Sequence, residues 1–300
     1  MSVFVTGDTH GPRPHDYDSL DGYMKRLHKD NFPEQRNLTK NDFVVICGDF
    51  AGVWDCNRFI AEESDDEKFS LDWLENRSFT TLFIPGNHEN YDRLIGCKNE
   101  ELLNSWFYEN MPDAEKEKLR KGYPRKEWHG GFVREIRPSV LMLENGHIFD
   151  IDGLSCFAFG GAKSHDIQDG VLDPAKFKSN EEFKKTYKQW NNWQKMFRVR
   201  GVSWWDEEIP SEEEMCFGRK TIQEFMKTHD KIDCIFTHEP PASDSIYLGF
   251  KPNELSKYLE SLNDDMKYSA WFYGHLHNNR KVFANHHLLY DQIILINQEV

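Results

Sequence analysis

Asp42-Phe43-Val44-Val45-Ile46-Cys47-Gly48-Asp49 is an unbroken apolar run that ends on a glycine and a carboxylate. Thr81-Leu82-Phe83-Ile84-Pro85-Gly86-Asn87-His88-Glu89 repeats the arrangement, with amide, imidazole and carboxylate groups after the run. Apolar residues in continuous rather than alternating order point to strands buried on both faces of a parallel sheet. Val3-Phe4-Val5 reads as a shorter strand of the same kind, so Met1–Thr6 is expected to start a sheet and not to be a secretory signal. Between the two long runs, Phe69, Leu71, Trp73 and Leu74 fall near helical spacing within Asp65–Glu75. The resulting order is strand, strand, helix, strand. Binding sites of open α/β sheets lie at the carboxyl ends of such strands.

The middle of the chain changes character. Phe132–Leu143, His147–Ile151 and Leu154–Phe159 are separated by Glu144-Asn145-Gly146 and by Asp152-Gly153. Asp-Gly between strand-like runs is a hairpin signal, so a second, more antiparallel sheet is expected here. Residues 163–230 read as helical and irregular, with Ser211 and Glu214 placed to form a capping box at a helix start. Strands return at Ile232–Phe236 and Trp271–Tyr273, followed by short β segments at Val282-Phe283, Leu288–Tyr290 and Ile293–Ile296.

The 300 residues carry a formal charge of −14, from 51 acidic and 37 basic side chains. That excess argues against a general nucleic-acid or anionic-membrane surface. No apolar run approaches the roughly 18 residues of a membrane span. Six cysteines without a C-x-x-C pair speak against a thiolate metal site or a disulfide framework, and for a reducing cytoplasm.

Five polar clusters follow the strand-like runs: Asp8-Thr9-His10, Gly48-Asp49, Gly86-Asn87-His88-Glu89, Thr237-His238, and Gly274-His275-Leu276-His277. Asp8 and His10, like His275 and His277, are two apart, so an extended backbone aims both side chains the same way. In three clusters glycine directly precedes a donor residue, where the backbone is expected to need an unusual turn or a close approach. Carboxylate, imidazole and amide oxygen together suit a pair of divalent metals such as Mn, Fe, Zn, Co or Ni. Two such ions roughly 3.5–4 Å apart can clamp an in-line displacement at phosphorus.

With these clusters in this order, the chain resembles the calcineurin-like metallophosphoesterases, whose pattern is D-x-H, G-D, G-N-H-[DE], H and G-H-x-H. The resemblance implies an α/β fold: a four-layer α/β/β/α sandwich of two mixed sheets flanked by helices. It makes residues 1–300 one catalytic domain, with 163–230 as an inserted cap or accessory segment. It implies that Asp8, His10 and His277 hold one metal, that Asn87, His238 and His275 hold the second, and that Asp49 bridges them. Manganese is the first expectation for both ions, with Fe, Zn, Ni or Co as alternatives. A metal-bridging hydroxide would attack phosphorus, and His88 would stand over the leaving oxygen as acid or charge stabiliser, so Asp49 and His88 are the expected catalytic residues. Glu89 would support the site from behind the ligands. The Ser/Thr protein phosphatase branch differs: its G-D-x-V-D-R-G and R-G-N-H-E arginines are missing from Gly48–Val53 and Ile84–Glu89.

The expected activity is hydrolysis of a phosphate ester, as a phosphodiesterase on a nucleotide or nucleic-acid type of substrate. A phosphomonoesterase acting on a small metabolite is the alternative, and a non-catalytic scaffold of the same fold is the alternative from another class. No membrane partner is expected. Arg13, Arg93 and His165 are candidate substrate contacts. Residues 175–200 carry a net +6 with Phe183, Tyr187 and Trp190 on one helical face. That segment reads as an amphipathic helix whose aromatics pack inward, or alternatively as a cap that steers phosphates and stacks bases.

Overall fold

A computed structural model describes residues 2–12, 20, 22–55 and 59–296. Arg13, His15 and Cys56 lie outside the described residues. The strands, in chain order, are β1 Val3–Thr6, β2 Phe43–Cys47, β3 Thr80–Ile84, β4 Arg125–Trp128, β5 Gly131–Arg137, β6 Val140–Leu143, β7 His147–Ile151, β8 Leu154–Phe159, β9 Gly170–Leu172, β10 Phe197–Val199, β11 Ile232–Thr237, β12 Tyr268–Tyr273, β13 Arg280–Phe283, β14 His286–Leu288 and β15 Ile293–Leu295. One sheet has the order β15-β1-β2-β3-β6-β5-β4 and the other β13-β14-β12-β11-β8-β7.

Alternation along the strands explains the layers. Val3, Val5, Val45, Cys47, Leu82 and Ile84 of the first sheet meet Cys156, Ala158, Cys234, Phe236, Ala270 and Phe272 of the second in one buried core. The intervening residues point outward. Phe4, Val44, Ile46 and Phe83 pack on Leu71 and Leu74 of helix α1, Asp65–Glu75. Phe157, Phe159, Ile235, Trp271 and Tyr273 pack on Ile222 of α2, Glu212–Phe225, and on Leu255, Leu259 and Leu262 of α3, Glu254–Asn263. The result is the expected helix, sheet, sheet, helix sandwich. Both faces of the central strands are covered, which is why their sequences read as unbroken apolar runs.

Two expectations about the sheets are corrected. Phe132–Leu143 is two strands rather than one, and both belong to the first sheet: β5 runs antiparallel to β6, and β6 runs parallel to β3. The crossing to the second sheet falls at Asn145-Gly146, because a turn signal reports reversal but not which sheet the next strand joins. The second sheet is also mostly parallel, since β8, β11, β12 and β14 all run the same way and only β7 and β13 oppose them. Asp152-Gly153 forms the expected tight turn between β7 and β8, with φ of 58° and 79°. The Ser211–Glu214 capping box is present at the start of α2.

Within 163–230, β9 and β10 form a small parallel pair beside a helix at Asn180–Asn192. The aromatic face of that helix packs locally: Phe183 lies 5.6 Å from Trp106, and Trp190 5.3 Å from Phe197. Lys184, Lys185 and Lys188 are exposed. The solvated lysines match the amphipathic reading, but the aromatics reach no core: no residue of this helix is buried, and Tyr187 is exposed. No described helix is long and apolar enough to cross a membrane.

Candidate metal centre

All five polar clusters sit where β1, β2, β3, β11 and β12 end, so parallel strand direction within each sheet and the packing of the two sheets bring their loops to one edge of the sandwich. Asp8, His10, Asp49 and His277 present donor atoms that all lie within 4.8 Å of one another. Asp49 is 1 % exposed, and its two oxygens face opposite neighbours. Oδ2 lies 3.4 Å from His10 Nε2 and 3.9 Å from His88 Nε2, whereas Oδ1 lies 3.2 Å from His238 Nε2. Asn87 Oδ1 stands 3.3 Å from the same His238 nitrogen. His277 Nε2 is 3.3 Å from Asp8 Oδ2, and the His275 ring is 5.0 Å from that of His238.

The donor chemistry fits a cation. His238 Nδ1 is 2.9 Å from the Cys47 carbonyl, which can only accept, so Nδ1 donates and Nε2 presents its lone pair to two acceptor oxygens. Such a grouping needs a positive charge between its members. Without a metal the ring itself supplies one: burial would lower the His238 pKa, but Asp49 and Asp8 overrule it and push it up to about 10. Burial likewise opposes ionisation of Asp49, yet His238, His10 and His88 hold its carboxyl well below the usual range. His275 Nε2 and Glu239 Oε2 are buried, lack a hydrogen-bond partner among the described residues, and lie 3.6 Å apart. Burial raises Glu239 to about 7 and, with His238, drives His275 well below its ordinary value.

A metal held by His238 would therefore displace a proton near neutrality. Calorimetric titration of Mn²⁺ into chelator-stripped protein at pH 8 is expected to release about one proton per chain, seen as a dependence of the heat on the ionisation enthalpy of the buffer. Heats identical in all buffers would contradict it.

The backbone is bent to make this approach. His10, Asp49, His275 and His277 have φ of 47°, 45°, 69° and 46°, in the left-handed region that non-glycine residues seldom occupy. Such residues cluster where surrounding structure holds them for function. The glycines before the donors serve close contact. A Cβ on Gly48 would lie on the His238 ring, one on Gly86 on Asp49 Oδ1, and one on Gly274 on Asp8 Oδ1. Glu89 is fully buried and accepts the Phe50 N–H at 2.7 Å, so it braces the loop that carries Asp49.

The other expected site residues are spread out. His88 is half-buried beside Asp49, with Trp54 tilted 6.0 Å from its ring, and a cavity of about 410 Å³ opens between them, lined also by His10, Asp55 and Asp66. His165 is exposed and stacks on His275 at 4.7 Å. Arg93 corrects an expectation: it is buried on Glu67 with a 2.6 Å ion pair and bonds the Asp55 carbonyl, so its charge is already satisfied inside the fold. Arg198, Glu239 and the pair Glu208 and Ser164 were not singled out from sequence. Glu208 accepts from Ser164 Oγ at 2.7 Å, and Asn87 Nδ2 donates to the same Ser164 oxygen at 3.4 Å, which turns Asn87 Oδ1 toward His238. Glu239 directly follows His238, and that adjacency was its one visible signal.

A carboxylate shared between imidazole groups, at the carboxyl edge of a double-sheet sandwich, is a candidate metal centre of the kind a metal-dependent phosphoesterase uses. The chain belongs to the calcineurin-like phosphoesterase family, whose profile matches residues 1–279. None of the curated proteins matches it.

Proposed function

We propose that this chain is a metal-dependent phosphodiesterase acting on an ester whose leaving alcohol is of nucleoside type. The observation that carries the reading is Asp49, with its oxygens divided between His10 and His238 and with His88 beside it at the mouth of a cavity faced by Trp54. In this reading Asp8, His10 and His277 hold one divalent ion, Asn87, His238 and His275 a second, and Asp49 both. When bound, the ions supply Lewis acidity and a nucleophile at neutral pH. His88 Nε2 holds the proton that passes to the departing oxygen. Trp54 offers an aromatic face to the leaving group, which is the feature that favours a base-bearing alcohol over a bare metabolite. Manganese is the proposed metal, the cytoplasm the proposed compartment, and 163–230 the accessory segment of a single catalytic domain.

The test is a Mn-supplemented panel of an aryl phosphodiester, an aryl monoester, cyclic nucleotides and single-stranded DNA. Diester or cyclic-nucleotide hydrolysis that chelation abolishes is expected. A larger kcat/KM on the monoester would favour the phosphomonoesterase instead, and no hydrolysis with no bound metal would favour the scaffold. His88→Asn is expected to keep wild-type metal content and to lower kcat by about 10²–10⁴. Wild-type kcat in that variant would remove His88 from the reaction.

A further inference from the structure

The family resemblance left a gap: the arginines that the protein phosphatase branch carries beside its motifs are absent here, and Arg93 is committed to Glu67. A different guanidinium reaches the centre. Arg198, on β10, is held by two partners. Its Nε donates to both oxygens of Asp166 at 2.7 and 2.8 Å, and its Nη1 donates to the Ser203 carbonyl at 2.9 Å. The side chain is 13 % exposed. These bonds fix the guanidinium plane and leave Nη2 toward the metal centre, 3.4 Å from His88 Nε2.

The segment that carries Arg198 is itself docked on the motif loops. Gly161 N–H bonds the Pro85 carbonyl at 2.7 Å, Glu208 reaches Asn87 through Ser164, and Trp205 packs edge-on to Trp54 at 5.7 Å. Arg198 is therefore presented by a fixed element and not by a free surface chain. Arg198 Nη2 can donate to His88 Nε2 only while that nitrogen is unprotonated, whereas a negatively charged oxygen between the two takes the Nη2 hydrogen bond and leaves Nε2 able to carry its proton. A planar guanidinium that turns one edge to the centre suits a phosphoryl oxygen better than an ammonium does.

We propose that Arg198 binds the substrate directly, its Nη2 donating to a non-bridging oxygen of the phosphoryl group beside His88, with Asp166 and the Ser203 carbonyl as its positioning partners. The proposal rests on the phosphoesterase reading above. The accessory segment then completes the anion site that the motif loops leave open on the leaving-group side.

The test uses full-length protein loaded with Mn²⁺, inorganic phosphate as a binding probe, and an aryl phosphodiester as substrate. Arg198→Met is expected to keep wild-type metal content and melting temperature. It should weaken phosphate binding, measured by calorimetry, and raise KM, each by about 10–100-fold, the loss typical of a hydrogen bond to a charged group. Arg198→Lys should restore binding only in part, because it keeps charge without the fork, and it serves as the second variant if the methionine variant does not fold. Asp166→Asn should shift KM in the same direction by a smaller factor. Phosphate affinity and KM within about twofold of wild type in a folded, metal-loaded Arg198 variant would overturn the proposal while the phosphoesterase reading stands. A wild-type protein that binds metal but neither binds phosphate nor hydrolyses any ester overturns both.

Discussion

Asp49→Asn is expected to abolish hydrolysis, by roughly 10³-fold or more, and to reduce bound Mn²⁺ to less than half of the wild-type content. The substitution preserves volume, and one carbonyl oxygen remains, so packing is nearly unchanged. What is lost is the charge that faces two sets of donors at once: His10 through Oδ2 and His238 through Oδ1. Asp49 Oδ1 also accepts the backbone N–H of His88 at 2.8 Å, so an inverted amide would place two donors against each other and loosen the loop that carries the proposed acid. The measurements are elemental analysis of purified protein and turnover of the aryl diester. Retention of full metal content with normal kcat would exclude Asp49 from the centre. A variant that keeps its metal but loses turnover would limit its role to the reaction.

Gly274→Ala is expected to cost both stability and metal. The added Cβ would lie on Asp8 Oδ1 and 2.7 Å from the Cys47 carbonyl oxygen. Neither neighbour can move away. Cys47 ends a central strand, and Asp8 is fixed by the His275 N–H, which donates to both of its oxygens at 3.0 and 3.1 Å. Relief requires shifting β12 relative to β2, and overpacking of this kind costs about 3 kcal/mol. The expected result is a clear fall in the urea midpoint together with loss of metal, because Asp8 cannot stay between His10 and His277. Gly153→Ala is the control: nothing lies within 4 Å of its added Cβ, so only the backbone strain at φ 79° is felt and metal content should not change. A Gly274→Ala protein as stable and as fully loaded as wild type would show that the two sheets are not held as close as described.

The donors were legible because each is carried by a short contiguous signature placed just after an apolar run. The runs fix strand direction, and strand direction fixes which edge the donors share. The glycines before Asp49, Asn87 and His275 were legible as points of close approach, but what they approach became visible only in three dimensions. Arg198 was hidden for a physical reason: it lies 110 residues from His88, within a stretch where lysines and arginines outnumber acids and most are solvated. Nothing local separates the one guanidinium aimed inward from its neighbours. The same applies to Arg93, whose partner Glu67 lies on another element and neutralises it out of sight of any motif. Sheet membership of Phe132–Leu143 was lost because hairpin chemistry is local while the choice of sheet is made by long-range packing.

The meeting of Asp8 with the His275 backbone joins groups 267 residues apart, one after the first strand of one sheet and the other after β12 of the second. Closing a chain of that length has an entropic cost on the order of 5 kcal/mol, which must be met by sheet packing before any donor can cooperate. At a translation rate of roughly 5–20 residues per second, tens of seconds separate the emergence of these two groups from the ribosome. During that interval Asp8, His10 and Asp49 can form no more than a partial, weakly holding set. In the proposed reading, loading of metal is thus a late event in the life of each chain, governed by completion of the second sheet rather than by how early the first donors are made.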